Sequence, residues 1–189
     1  APVDVAAGAA GFLSQSGTLG VAALDVARRK GVGISSFVDL GSKVDVSGND
    51  IVQYWEEDDR TRVGLLYLES FGNPRRFVRI ARRVSRRLPL VAVKSGSVSP
   101  PRRPGEPADD LHWPADATYG ALLAQCGVIR VDGLAQLFDV ARVLLHQPVP
   151  AGRRVAVVSN SKGASSMTRD AVAGSRLRPA EFAESTVAA

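Results

Sequence analysis

The segment from Arg62 to Leu68 constrains this chain most, because past its opening arginine it reads Val-Gly-Leu-Leu-Tyr-Leu with no polar alternation. A strand with one face in water alternates apolar and polar residues. A strand apolar on both faces belongs inside a sheet covered on both sides, which is the signature of a parallel α/β sheet. Further strand candidates, less uniformly apolar, lie at Gly11 to Gln15, Ile34 to Leu40, Pro89 to Val93 and Val128 to Val131. Between them the period changes to that of a helix. Thr18 to Lys30 places Leu19, Ala22, Ala23, Val26 and Ala27 on one side and is closed by Gly31 and Gly33. Asn49 or Asp50 can cap a helix running through Trp55. Further helices are expected after Gly72-Asn73-Pro74, over Ala115 to Gln125, and over Leu134 to Leu145.

Strands alternating with helices, joined by right-handed crossovers, give an α/β fold: a doubly wound, flavodoxin-like parallel sheet with helices on both faces. The first ten residues, rich in alanine, read as a linker, and residues 11–148 as the domain. Residues 95–114, with Pro100, Pro101, Pro104, Pro107 and Pro114, read as a long mobile loop. Pro148 and Pro150 mark a boundary. A strand over Arg154 to Ser159 and a helix opened by Ser159-Asn160-Ser161-Lys162-Gly163 make 149–189 the truncated start of a second, similar domain. Arg176 to Ala189 has no evident partner strand. Without an initiating methionine or the charged start of a signal peptide, the chain reads as a piece of a longer protein.

Composition narrows the chemistry. Hydrophobic residues at 45% and charged residues at 23% fit a globular protein and not a disordered one. No run approaches the roughly 18 apolar residues of a membrane span. A single cysteine, Cys126, excludes a disulfide framework or a cysteine zinc cage, and with two histidines no metal site is expected. A reducing, cytoplasmic setting fits this usage. The net charge of +5 sits in one segment: taking away Arg75, Arg76, Arg79, Arg82, Arg83, Arg86 and Arg87 leaves −2. That segment also carries Phe77, Ile80, Ala81, Val84 and Leu88 at helical spacing, so the arginines form the solvated face of an amphipathic helix. Aromatic residues for base stacking are not interleaved with them, which argues against nucleic acid.

In doubly wound sheets ligands bind beyond the carboxyl ends of the strands. Ser14-Gln15-Ser16-Gly17-Thr18-Leu19 ends a strand and starts a helix there, with small side chains around unpaired amides. That makes an anion site of Ser16, Gly17, Thr18 and Leu19. Ser159, Asn160, Ser161, Lys162 and Gly163 repeat the device. Neither turn is a Walker loop or a dinucleotide fingerprint, and Ser16 lacks the flanking glycines of a hydrolase elbow. Glu69 closes the apolar strand, where it either orients a histidine or caps the next helix. His112, beside Trp113, is either an exposed loop residue or a mobile catalytic histidine.

Several blocks resemble the succinyl-CoA-ligase-like flavodoxin domain of NDP-forming acyl-CoA synthetases. They are Gly11-Phe-Leu-Ser-Gln-Ser-Gly-Thr-Leu-Gly20, Gly41-Ser-Lys-Val-Asp-Val-Ser-Gly-Asn-Asp50, Tyr67-Leu-Glu-Ser-Phe-Gly-Asn-Pro-Arg75, Val93-Lys-Ser-Gly96, Cys126-Gly-Val-Ile-Arg-Val131 and Val157-Val-Ser-Asn-Ser161. The resemblance implies phosphohistidine chemistry on a CoA thioester, phosphate and ADP or ATP, with phosphate held between the two helix starts and Glu69 charging the histidine. It also implies a CoA-binding domain and an ATP-grasp domain in the same protein. The family's histidine should fall near Ala108, where this chain has Glu106-Pro-Ala-Asp-Asp110 and where Asp109 and Asp110 repel an anion. His112 stands about one turn away.

Three readings are open. In the first, the loop is degenerate and the chain is an acyl-CoA-responsive regulatory module, as in protein lysine acetyltransferases that carry such domains. In the second, an active ligase uses His112 as its phosphohistidine. The third is a non-catalytic module that binds an anionic partner through the arginine helix.

Overall fold

The computed structural model describes residues 4–41, 45–95, 116–148 and 150–187. They form two compact units, Ala1–Gln147 and Pro148–Ala189. The first is a five-stranded sheet, parallel at every pairing: β1 (Ala7–Ser14), β2 (Ile34–Asp39), β3 (Val63–Leu68), β4 (Leu90–Lys94) and β5 (Ile129–Val131), in the order β2-β1-β3-β4-β5. Each crossover is a helix: α1 (Gly17–Arg29), α2 (Gly48–Glu57), α3 (Pro74–Val84) and α4 (Asp116–Gln125), with α5 (Leu134–His146) following β5. This is the flavodoxin-like arrangement that the apolar runs call for.

The period-two alternation of the buried strands divides the core. Leu13, Leu66, Leu68, Leu90 and Ala92 face the layer built by Val52 and Trp55 of α2, Phe77 and Ile80 of α3, and Leu123 of α4. Phe12, Leu65, Tyr67, Val91 and Val93 face the opposite layer, with Ala23 and Ala27 of α1 and Leu137 and Phe138 of α5. All six residues of β3 are buried, which explains why its sequence shows no alternation. Trp55 is 1% exposed, and its indole N–H donates to Ser36 Oγ at 2.8 Å. It fits because Gly11 and Gly64 lie beneath it. A Cβ on Gly11 would come within 2.5 Å of the indole, and one on Gly64 within 2.9 Å.

Several local expectations are corrected. Residues Ala7 to Ala10 are not linker: they open β1, pairing with Ile34, and Ala10 is fully buried. Alanine's weak strand preference concealed this, although a small side chain packs well under a crossover helix. The cap of α2 is Ser47 rather than Asn49 or Asp50. Asp50, three residues on, accepts from the Ser47 amide at 2.9 Å and from the Ser47 hydroxyl at 2.6 Å. Asn73 caps α3 by accepting from the Arg76 amide at 3.0 Å, with Pro74 at the first helical position.

In the second unit, β6 covers only Arg154–Val155 instead of reaching Ser159, and α6 spans Lys162–Ala173. The tail does find a partner: β7 (Arg178–Pro179) lies parallel to β6, and a short helix, α7, comes after it at Glu184–Val187. Two-residue strands carry no periodicity, so no pattern could announce them.

Candidate functional site: the carboxyl ends of β1, β3 and β4

At the end of β1 the fully buried Ser14 ties the turn from both sides. Its hydroxyl donates to the Ser16 carbonyl at 2.7 Å and accepts from the Ser16 amide at 3.1 Å. This holds Ser16 in an extended conformation as the N-cap of α1, yet the Ser16 side chain makes no capping hydrogen bond. The first-turn amides of Gly17, Thr18 and Leu19 therefore have neither an intrahelical acceptor nor a serine lid. Thr18 and Leu19 are exposed, and α1 carries no acidic residue in its first turn. The positive end of the helix dipole thus opens outward.

One charge enters from the neighbouring strand. Ser14 pairs with Asp39 across the β1–β2 ladder. The Asp39 carboxylate lies so close to Gly17 that a Cβ there would sit 2.6 Å from Oδ2, while its other oxygen accepts from the Gly41 amide at 3.1 Å. Glycine at 17 lets the carboxylate approach this closely, and a carboxylate borders the anion-seeking amides.

Gln15, 8% exposed, joins β1 to the loop after β3. Its Oε1 accepts from the amides of Glu69 (2.8 Å) and Ser70 (2.9 Å), and its Nε2 donates to the Ser70 carbonyl at 2.9 Å. This clamp sets the backbone of Glu69 beside the turn that starts α1. Glu69 and the stretch Ser16 to Leu19 thus follow the ends of two adjacent strands. The Glu69 residue itself is exposed.

Lys94 closes β4 and is only 7% exposed. Its ammonium sits 4.4 Å from the centroid of the Tyr119 ring and donates to the Ser95 carbonyl. Burial pushes its pKa down, while the nearby charges of Glu69 and Asp116 oppose that shift and Arg130 adds to it. A buried cation thus stands in the field of Glu69. His112 lies outside the described residues, as do Asp109 and Asp110.

In the second unit, Ser159 and Ser161 repeat the pairing of Ser14 and Ser16. Ser159 Oγ donates to the Ser161 carbonyl at 3.2 Å and accepts from the Ser161 amide at 3.1 Å. Here the cap is closed, since Ser161 Oγ accepts from the Ala164 amide at 3.4 Å. Ser159, Asn160, Ser161, Lys162 and Gly163 are all exposed.

Among the described residues no cluster of three His, Cys, Asp or Glu side chains can hold a metal, and no helix is long and apolar enough to cross a membrane. Cys126 is buried, which raises its thiol pKa and keeps it unreactive.

Residues 7–144 match the family model of the succinyl-CoA ligase like flavodoxin domain. The chain belongs to this family. Over 170 residues it is 32% identical to acetate–CoA ligase (ADP-forming) I subunit alpha of Pyrococcus furiosus, spanning 90% of this chain and 37% of that protein. Identity is 38% over 164 residues to acetate–CoA ligase (ADP-forming) I of Archaeoglobus fulgidus, covering 85% of this chain and 23% of that one. The solved dinucleotide forming acetyl-coenzyme A synthetase 1 of Ca. Korarchaeum cryptofilum superposes in its apo form with a TM-score of 0.88 at 31% identity, over 99% of this chain and 41% of that chain. Its complex with phosphate and ADP gives 0.85. The chain spans well under half the length of these relatives.

The sequence picks out the strand-end stretches that hold Gln15 and Lys94 without giving either residue a role, and it does not pick out Asp39. Gln15 and Lys94 sit inside matched blocks and carry a signal that could have been read: a polar side chain at the end of a buried strand needs a partner. Asp39 carries none, because its proximity to Gly17 arises only when β1 and β2 pair.

Proposed function

We propose that this chain is an acyl-CoA-responsive regulatory module within a larger, synthetase-like protein, one that has kept an anion-seeking helix start and lost the phosphoryl-accepting histidine. The observation that carries this reading is the carboxylate of Asp39 against Gly17, at the amides that a phosphate would seek. A phosphoryl group arriving there meets a like charge. The sequence supports it further with Glu106-Pro-Ala-Asp-Asp110 where the family's histidine falls. In this reading the chain responds to an acyl-CoA held by the larger protein rather than to a phosphoryl group at this turn, and the responding domain is an acetyltransferase of the same protein.

A second reading is favoured by the named activity of the relatives, several of which are acetate–CoA ligases. There His112 attacks the phosphorus of an acyl phosphate, releases the carboxylate, and passes the phosphoryl group to ADP. Glu69, placed beside α1 by Gln15, would orient the imidazole.

One experiment separates them. Full-length protein is incubated with acetyl-CoA plus phosphate, or with ATP, and assayed for an acid-labile phosphoryl adduct. The regulatory reading expects no adduct. An adduct on His112 that disappears in His112→Ala overturns it in favour of the ligase.

A further inference from the structure

On the sheet face opposite α1, a cavity of about 180 Å³ lies where β3 ends beneath α2 and α3. Its walls are mostly apolar: Val52, Leu66, Leu68, Phe71 and Phe77. That volume is fragment-sized; a dry apolar cavity of about 150 Å³ accepts a benzene ring.

The polar groups on its wall divide into spent and unspent. Gln15 is committed at both ends of its amide to the Glu69–Ser70 backbone. Ser47 donates to Asp50, and Asn73 accepts from the Arg76 amide. Among the described residues Arg76 is the one charged side chain lining the cavity, and it is neutralised by Asp50 at 2.6 Å. Asn49 differs. It is 5% exposed, and its Oδ1 is buried without a hydrogen-bond partner among the described residues. Most buried side-chain acceptors find a donor, so an orphan on a residue that lines a cavity is one that a donor entering the cavity can satisfy once the side chain turns. The terminal torsion of an asparagine is soft, so its carbonyl can turn onto a donor within the cavity.

We propose that this cavity binds a small uncharged molecule with an apolar body and one O–H or N–H group, and that this group donates to Asn49 Oδ1. The apolar walls take the body, and the paired Arg76 gives no preference for an anion. The cavity shares Gln15 with the clamp beside the α1 turn, but the proposal does not rest on the reading of that turn.

Phenol and toluene are matched probes, since they share a ring and differ in the donor. Titrated into full-length protein by calorimetry, with ligand-observed NMR as a cross-check, phenol is expected to bind about five- to tenfold tighter than toluene, the worth of one hydrogen bond to a buried acceptor. Asn49→Leu keeps the size and removes the acceptor, and should erase that preference while toluene still binds. Asn49→Asp keeps the shape with a stronger acceptor, and should raise the preference; it stands in if the leucine variant does not fold. Absence of phenol binding at millimolar concentration, equal affinity for both probes, or a preference that survives in Asn49→Leu would each overturn the proposal. So would a preference left unchanged by Asn49→Asp.

Discussion

Asp39 and Lys94 put opposite charges at the ends of strands in one sheet, and each makes a test. If the Asp39 carboxylate repels anions from the amides of Gly17 to Leu19, Asp39→Asn should tighten inorganic phosphate binding to full-length protein. The gain should be roughly two- to fivefold, the worth of one exposed charge at a helix end. Calorimetric titration checks it, and an unchanged affinity would show that the carboxylate does not guard the amides. For Lys94, burial lowers the pKa of the folded state below that of the unfolded chain. Between those two values the unfolded chain holds more protons, so the contribution of Lys94 to stability rises with pH until it levels off near the free-lysine value of about 10.4. Urea unfolding of wild type and Lys94→Met across that window should show wild type gaining on the variant as pH rises. A constant difference would refute the assignment. At this scale the sequence is half legible. The serines and glycine around Ser16 advertise the turn from strand to helix, where Ser14 ties the backbone and Gly17 leaves room for Asp39. The Asp39 contact is a product of register, invisible until Ser14 and Asp39 are paired.

Among the elements, α2 shows what the apolar pattern conveys and what it omits. The pattern anticipates a helix through Trp55, but not that two glycines from neighbouring strands make the floor under the indole. Gly64→Ala should therefore destabilise the domain by about 1–3 kcal/mol, as overpacking does, because its methyl would come within 2.7 Å of Leu90 Cδ2 and 2.9 Å of Trp55. Pairing it with Trp55→Phe should recover part of the loss. Denaturant midpoints for the two single variants and the double variant give the coupling, and strict additivity would mean that the indole is not the obstacle. The start of α2 was legible in principle. Ser47 followed by Asp50 is a capping pair, but the preceding turn residues obscured where the loop stops. The arginine helix met its expectation more fully. Phe77, Ile80, Ala81 and Val84 are buried, while Arg76 and Arg83 reach across to Asp50 and Glu56 on α2. Those pairs are exposed on the arginine side and contribute little stability.

For the whole molecule, the two units differ in what they bury. The first owns both apolar layers, whereas among the described residues of the second only Val172 is a buried hydrophobic. Residues 1–147 expressed alone should accordingly unfold in one cooperative transition. Residues 148–189 alone should show none, being at the length below which a chain cannot bury enough surface. Circular dichroism against urea decides both, and a cooperative transition in the short piece would overturn the second expectation. The sheet class was legible because a fully buried strand such as β3 leaves an unmistakable run. The second unit was not, since its strands are two residues long.

The strand order also governs how the molecule must assemble. Every neighbour pair in the sheet is parallel, so no strand can zip onto the next through a tight hairpin. The interior strand β1 is translated before the other four, yet its second partner is Val63 to Tyr67, some fifty residues later. Until that partner leaves the ribosome, one edge of β1 stays bare. Folding that waits on such distant closures is slow, and the nascent chain is most exposed to misassociation in that interval.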